Sequence, residues 1–162
     1  MSRVEEIKKQ MQELQKELEL EMQKNEIEYP PLKMREMYWF INDEGLVFRT
    51  RWDEDRFDKR RCKIGNVFST EEKAEKELKK LFLLTRFRLF RDRCNRGWEP
   101  DFSQHLVDKY SIQFNYAIGD FVIVYSGHND NFHLFGYFKN EEDAERAIEL
   151  FGDEIKRLYV EE

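Results

Sequence analysis

Cysteine is scarce in this chain of 162 residues: Cys62 and Cys94 are the only two, beside three histidines, three prolines and seven glycines. Two thiols cannot build the disulfide framework of a small secreted scaffold or a four-cysteine zinc site. So little proline and glycine excludes collagen-like and low-complexity chains. The longest clean apolar runs, such as Phe121-Val122-Ile123-Val124-Tyr125, are of strand length, far below the roughly 20 residues of a membrane helix. The opening Met1-Ser2-Arg3-Val4-Glu5-Glu6 has no hydrophobic leader, so a reduced, cytoplasmic protein is expected, with no membrane contact.

Chemistry-bearing motifs are equally sparse. The phosphate-cradling GxxxxGK[ST] loop, the GxGxxG fingerprint, the HExxH helix and the GxSxG elbow are all missing from the sequence, which argues for a non-enzymatic protein. His128, Asp130 and His133 straddle a Gly-Asn-Asp turn with no third strong ligand nearby, and His105 stands alone. No metal and no cofactor are expected. The carboxylates of Asp53, Glu54, Asp55 and Asp58 could chelate magnesium, but they alternate with Arg51, Arg56 and Lys59 and read as a solvated loop. Cys62 and Cys94 read as small buried residues, and Trp98 as a lid on the core.

What the sequence does have is aromatic mass and charge: 15% aromatic residues, 38% charged residues and a net charge of −6. That is enough large apolar surface to build a core and exclude wholesale disorder. The charge is unevenly spread. Residues 31–100 carry 18 basic and 13 acidic side chains, whereas residues 101–162 carry 5 and 13.

Residues 1–29 form one amphipathic segment, with Val4, Ile7, Met11, Leu14 and Leu18 at a-d-a-d-a spacing. Ser2 and Glu5 make a capping box, and Pro30-Pro31 opens a linker over 30–36. A lone helix cannot bury this stripe by itself. It either folds back onto the domain or pairs with a second copy or a partner helix. Residues 37–162 predict an α+β domain: two repeated three-strand, one-helix units, 37–97 and 106–152, forming an antiparallel sheet with helices packed on it. The repeat is direct, since Val67-Phe68-Ser69-Thr70-Glu71-Glu72-Lys73-Ala74 aligns at an offset of 70 with Tyr137-Phe138-Lys139-Asn140-Glu141-Glu142-Asp143-Ala144. In the first unit, strands are expected at 37–42, 46–52 and 61–68, and a helix from Thr70 to about Arg96. In the second, strands at 110–116, 121–126 and 132–138 precede a helix over 141–151 that Gly152 breaks.

The long first helix carries two apolar stripes. Ala74, Leu78, Leu81, Phe82, Thr85 and Leu89 are expected on the sheet. Leu83, Phe87, Phe90 and Cys94 lie almost opposite and would need another cover, so Leu83, Phe87 and Phe90 join Val4, Ile7, Met11, Leu14 and Leu18 as helix-pairing candidates. Arg86, Arg88, Arg91, Arg93 and Arg96 bracket that second stripe. With Arg49, Arg51, Arg60 and Arg61 from neighbouring elements they could form a basic cluster for a partner protein or for nucleic acid.

The segments Tyr38–Gly45, Trp52, Ile64-Gly65-Asn66-Val67-Phe68-Ser69-Thr70-Glu71-Glu72-Lys73-Ala74-Glu75 and Trp98-Glu99-Pro100 resemble a group of small accessory proteins of Gram-positive bacteriophages and prophages. The likeness covers roughly residues 37–105, and Phe138–Leu158 is similar to the tails of such proteins. Its Gly-Asn-x-Phe-x-Thr-Glu-Glu core is structural and transfers no catalytic residue. The resemblance implies a factor that binds a host protein, with anti-CRISPR or other inhibition of a host defence nuclease a recurrent use. Homodimerisation through residues 4–18 and nucleic-acid binding in phage replication or transcription are the competing expectations.

Overall fold

A computed structural model describes residues 3–26, 32–104 and 106–161. Ser2 and its capping box, Pro30-Pro31 and His105 lie outside these residues. The protein is α+β, as expected, and divides into two compact units, Met1–Glu71 and Glu72–Glu162. No described helix is long and apolar enough to cross a membrane.

The first unit opens with α1, Arg3–Glu26. A turn at Lys33–Glu36 leads into a hairpin of β1, Met37–Ile41, and β2, Val47–Arg51, paired antiparallel with Phe40 opposite Phe48. Asn42 closes this hairpin, its Oδ1 accepting from the Glu44 and Leu46 amides, while Gly45 takes the left-handed conformation a tight turn needs. The chain then forms α2, Arg56–Lys63, where a strand over 61–68 was expected. Asp55 caps it by accepting from the Phe57 and Asp58 amides at 2.7 and 2.8 Å, and Gly65 at φ +71 ends it. Only Phe68 keeps strand character, bridging Trp39.

The core of this unit gathers Tyr38, Trp52 and Cys62. At its centre Asp58 is 3% exposed, so it is no solvated loop residue. Tyr38 Oη donates to Asp58 Oδ1 at 2.6 Å, Arg61 donates to Tyr38 Oη at 2.9 Å, and the Asp53 amide donates to Asp58 Oδ2 at 2.8 Å. A buried carboxylate is tolerated because each oxygen has a donor.

The second unit contains most of α3, Glu71–Asn95, then a hairpin of β3, Lys109–Asn115, and β4, Asp120–Ser126, and finally α4, Glu141–Ile155, which runs into a π-helical turn over Lys156–Val160. Gly152 does not break α4. It is buried within the helix, where a Cβ would meet Phe121 and Ile148 at 3.5 Å. The expected strand over 132–138 reduces to a bridge between Phe138 and Tyr110.

A smaller local pattern recurs: a two-stranded hairpin receives one bridging residue, Phe68 or Phe138, just before a helix that opens at Glu71 or Glu141, although the unit boundary after Glu71 parts the first hairpin from its helix. The two hairpins are separate sheets rather than parts of one. Ala74 and Ala144, the equivalent small residues, are both fully buried.

From Leu81 onward the two stripes of α3 exchange roles relative to expectation, whereas Ala74 is buried as expected. Leu83 and Phe87 are fully buried, and Phe90 and Cys94 pack beside them, in a core with Ile112, Phe138, Ala144, Ala147, Ile155 and Leu158. Leu81, Phe82, Thr85 and Leu89 are exposed. Spacings of four, three and four residues place Leu83, Phe87, Phe90 and Cys94 on one face, and Phe87 stacks at 4.7, 5.8 and 5.2 Å from Phe135, Phe138 and Phe151. The second unit of the same chain is the cover this stripe required, so Leu83, Phe87 and Phe90 are core residues and not helix-pairing ones.

Candidate functional site

Two features stand apart from the packed cores: the stripe of α1 and a cationic cleft in the second unit. Every described side chain of α1 from Arg3 to Gln23 is exposed, and Val4, Ile7, Met11, Leu14 and Leu18 are 49–64% accessible. About 1.5 Å per residue makes the 24 residues of this helix a rod of roughly 36 Å.

The residues flanking the seam disfavour a parallel pair of identical helices. With Val4, Met11 and Leu18 at a, the g positions hold Arg3, Gln10 and Glu17 and the e positions Lys8 and Gln15. A parallel pair of identical helices would set Arg3 against Lys8 of the other copy and place neutral Gln10 against Gln15. That first contact is repulsive and the second supplies no charge attraction. A partner helix with carboxylates facing Arg3 and Lys8 would pair without this penalty.

The nine arginines are divided between the two units. In the first unit Arg49 lies over the Trp39 ring, Arg51 is paired with Asp53, and Arg61 stacks on Phe40 at 3.7 Å while holding Tyr38. In the second, Arg86 is tied to Glu154, and Arg91 donates to the Phe135 carbonyl and to Asp92. Arg60 and Arg88 are solvent-facing. Within the second unit Arg93 and Arg96 line one cleft, together with two cations not anticipated from sequence, Lys139 and Arg146.

These four side chains surround a cleft of about 730 Å³ whose wall is completed by Phe90, Cys94, Trp98 and Asp143. Trp98 is half-buried and also lines a second cleft of about 550 Å³ with Arg91, Pro100 and Tyr137. Its position follows from the end of α3. Asn95 is buried, its Nδ2 donating to the Tyr137 carbonyl at 2.9 Å and its Oδ1 accepting from the Lys139 amide at 3.0 Å. Arg96 at φ +50 and Gly97 at φ +82 then turn the chain sharply. For glycine this costs nothing extra, but for arginine the left-handed region is a strained choice.

Burial pushes the Cys94 thiol up, and a hydrogen bond to Asp143 adds to the shift. Burial likewise raises the Cys62 thiol, with the Asp58 carboxylate adding to it. Asp130 serves its own loop, accepting from the Phe132 amide and the Tyr137 hydroxyl, and the His133 ring packs on Tyr137. Among the described residues no group of three or more His, Cys, Asp or Glu side chains is arranged to hold a metal.

Comparison with known protein families, with curated proteins and with solved structures finds no match to this chain.

Proposed function

We propose that the protein is a non-enzymatic binding protein that docks onto another protein through the apolar stripe of α1, the partner supplying an amphipathic helix with acidic flanks. The observation that carries this reading is the exposure of a regular heptad seam, Val4 to Leu18, at 49–64% of each residue. Burying each of these half-exposed residues is worth about 1 to 2 kcal/mol, a gain that docking onto a partner helix would supply. The phage origin, and a host defence nuclease as the inhibited partner, rest on the sequence resemblance alone and complete the proposal.

The test is affinity capture from a host lysate with the full chain and with Leu14→Glu. A partner that is identified, rebuilt from purified components and lost in the variant supports the reading, as does protection of phage by the parent chain alone. A carboxylate in the seam should weaken binding by about 100-fold, from lost burial and the desolvation of a charge. Retention of the same partner by Leu14→Glu, or a homodimer of mass twice 20 kDa as the species that forms, contradicts it.

A further inference from the structure

The cationic cleft of the second unit is not used by the α1 reading. Its charge stands out against its surroundings: Arg93, Arg96, Lys139 and Arg146 meet a single lining carboxylate, Asp143, in a chain of net charge −6. Asp143 is already engaged, by Arg146 at 3.5 Å and by the Asn140 side-chain amide at 3.1 Å. Arg93, Arg96 and Lys139 thus face the cleft with no carboxylate partner among the described residues. Cations gathered in a concave wall raise the local concentration of anions far more than the same charges on a convex surface.

Two of the remaining lining residues, Phe90 and Trp98, are aromatic. Trp98 lines both hollows, and Arg146 lies 5.6 Å over the Phe90 ring. A volume of about 730 Å³ lies in the range of sites for ligands of nucleotide size, roughly 300–1,000 Å³. Planar rings stack on indole and on guanidinium groups, while phosphate oxygens take the charge-assisted hydrogen bonds that arginine forks offer.

From this arrangement we infer that the cleft binds a 5′-phosphorylated nucleotide, its base against Trp98 and its phosphate among Arg93, Arg96 and Lys139. The nucleotide is either free or the first residue of a single strand, because both offer the same ring and the same terminal phosphate. An acidic peptide would satisfy the cations but leave the indole without a stacking partner.

The assay follows tryptophan fluorescence of the full chain while it is titrated with adenosine monophosphate, inorganic phosphate, a tetranucleotide with or without a 5′-phosphate, and a tetraglutamate peptide. Saturable quenching by adenosine monophosphate, by the 5′-phosphorylated tetranucleotide or by both supports the inference, and which of them binds identifies the source. Removing one phosphate-binding cation should lower affinity by roughly tenfold or more.

Arg96→Gly is the decisive variant. Glycine suits φ +50, so the fold is kept or stabilised while a cation leaves the cleft. Weaker nucleotide binding with an unchanged or higher unfolding midpoint supports the site. Lys139→Gln, on an exposed side chain, repeats the test from another element. Binding unaffected by both variants, equal affinity for inorganic phosphate and the nucleotide, equal affinity for the 5′-hydroxyl strand, or preference for tetraglutamate each overturns the inference.

Discussion

Phe87→Ala and Leu89→Ala, two positions apart on α3, should have opposite consequences. Phe87 is 0% exposed and its ring meets three others at 4.7 to 5.8 Å, so truncation removes the transfer free energy of a buried ring, leaves a cavity and breaks aromatic contacts. Losses of this kind run to about 3–5 kcal/mol. Leu89 is 63% exposed, and alanine is the better helix former, so its replacement should change stability by no more than about 0.5 kcal/mol. Urea unfolding followed by circular dichroism separates the two. With a slope of about 1.5 kcal/mol/M, Phe87→Ala should lower the midpoint of the transition containing α3 by about 2 M or more, and Leu89→Ala should leave it in place. A larger loss for Leu89→Ala than for Phe87→Ala would refute the orientation of α3 and, with it, the assignment of its second stripe to the core.

Lys109 is fully buried, and its ammonium donates to the Gln104, Val107 and Gly127 carbonyls at 3.0, 2.7 and 2.9 Å. Lys109→Met leaves three acceptors without that donor and should cost at least about 3 kcal/mol, read as a fall in the urea midpoint. Burial, reinforced by the hydrogen bond to Asp58, pushes Tyr38 up to about 12 from its ordinary 10. The folded state therefore holds this proton more tightly than the unfolded one. Its contribution is complete below pH 10 and is lost as pH rises from 10 through 12. Alkaline unfolding midpoints should show that decline in the parent and a shallower one in Tyr38→Phe. Gly136 sits at φ +73, and an added Cβ would meet the Arg91 guanidinium that holds the Phe135 carbonyl. Gly136→Ala should cost about 1–3 kcal/mol by thermal unfolding, more than Gly119→Ala, where the Cβ meets nothing.

Local patterns survived the passage from sequence to structure better than long-range ones. The hairpins, the start of α3 and its stop at Gly97 were legible because turn residues, capping positions and left-handed glycines act within a few residues. The repeat at an offset of 70 was legible for the same reason. α2 was not, since Ile64 and Val67 read as strand, whereas the Asp55 cap and the burial of Asp58 under Tyr38 decide for helix. The phase of α3 was lost at Leu81: extending the Ala74–Leu78 pattern along the helix assumes one supporting surface, but its distal half packs among Phe135, Phe138 and Phe151, more than 40 residues away. Of the cleft, Arg93 and Arg96 were visible as members of an arginine run. Lys139 and Arg146 were not, because only the Asn95 cross-link from α3 to Tyr137 and Lys139 brings the start of α4 beside them.

Hydrogen exchange of the free full-length protein at low micromolar concentration tests the bare stripe of α1 most directly. A helix with no tertiary cover frays on its own, so amides of residues 4–18 should exchange nearly as fast as in an unfolded chain, while those of residues 83–87 are slowed by roughly three orders of magnitude or more. Equal protection of the two segments would mean that the stripe is already covered in the protein alone, and no docking role would be left for it.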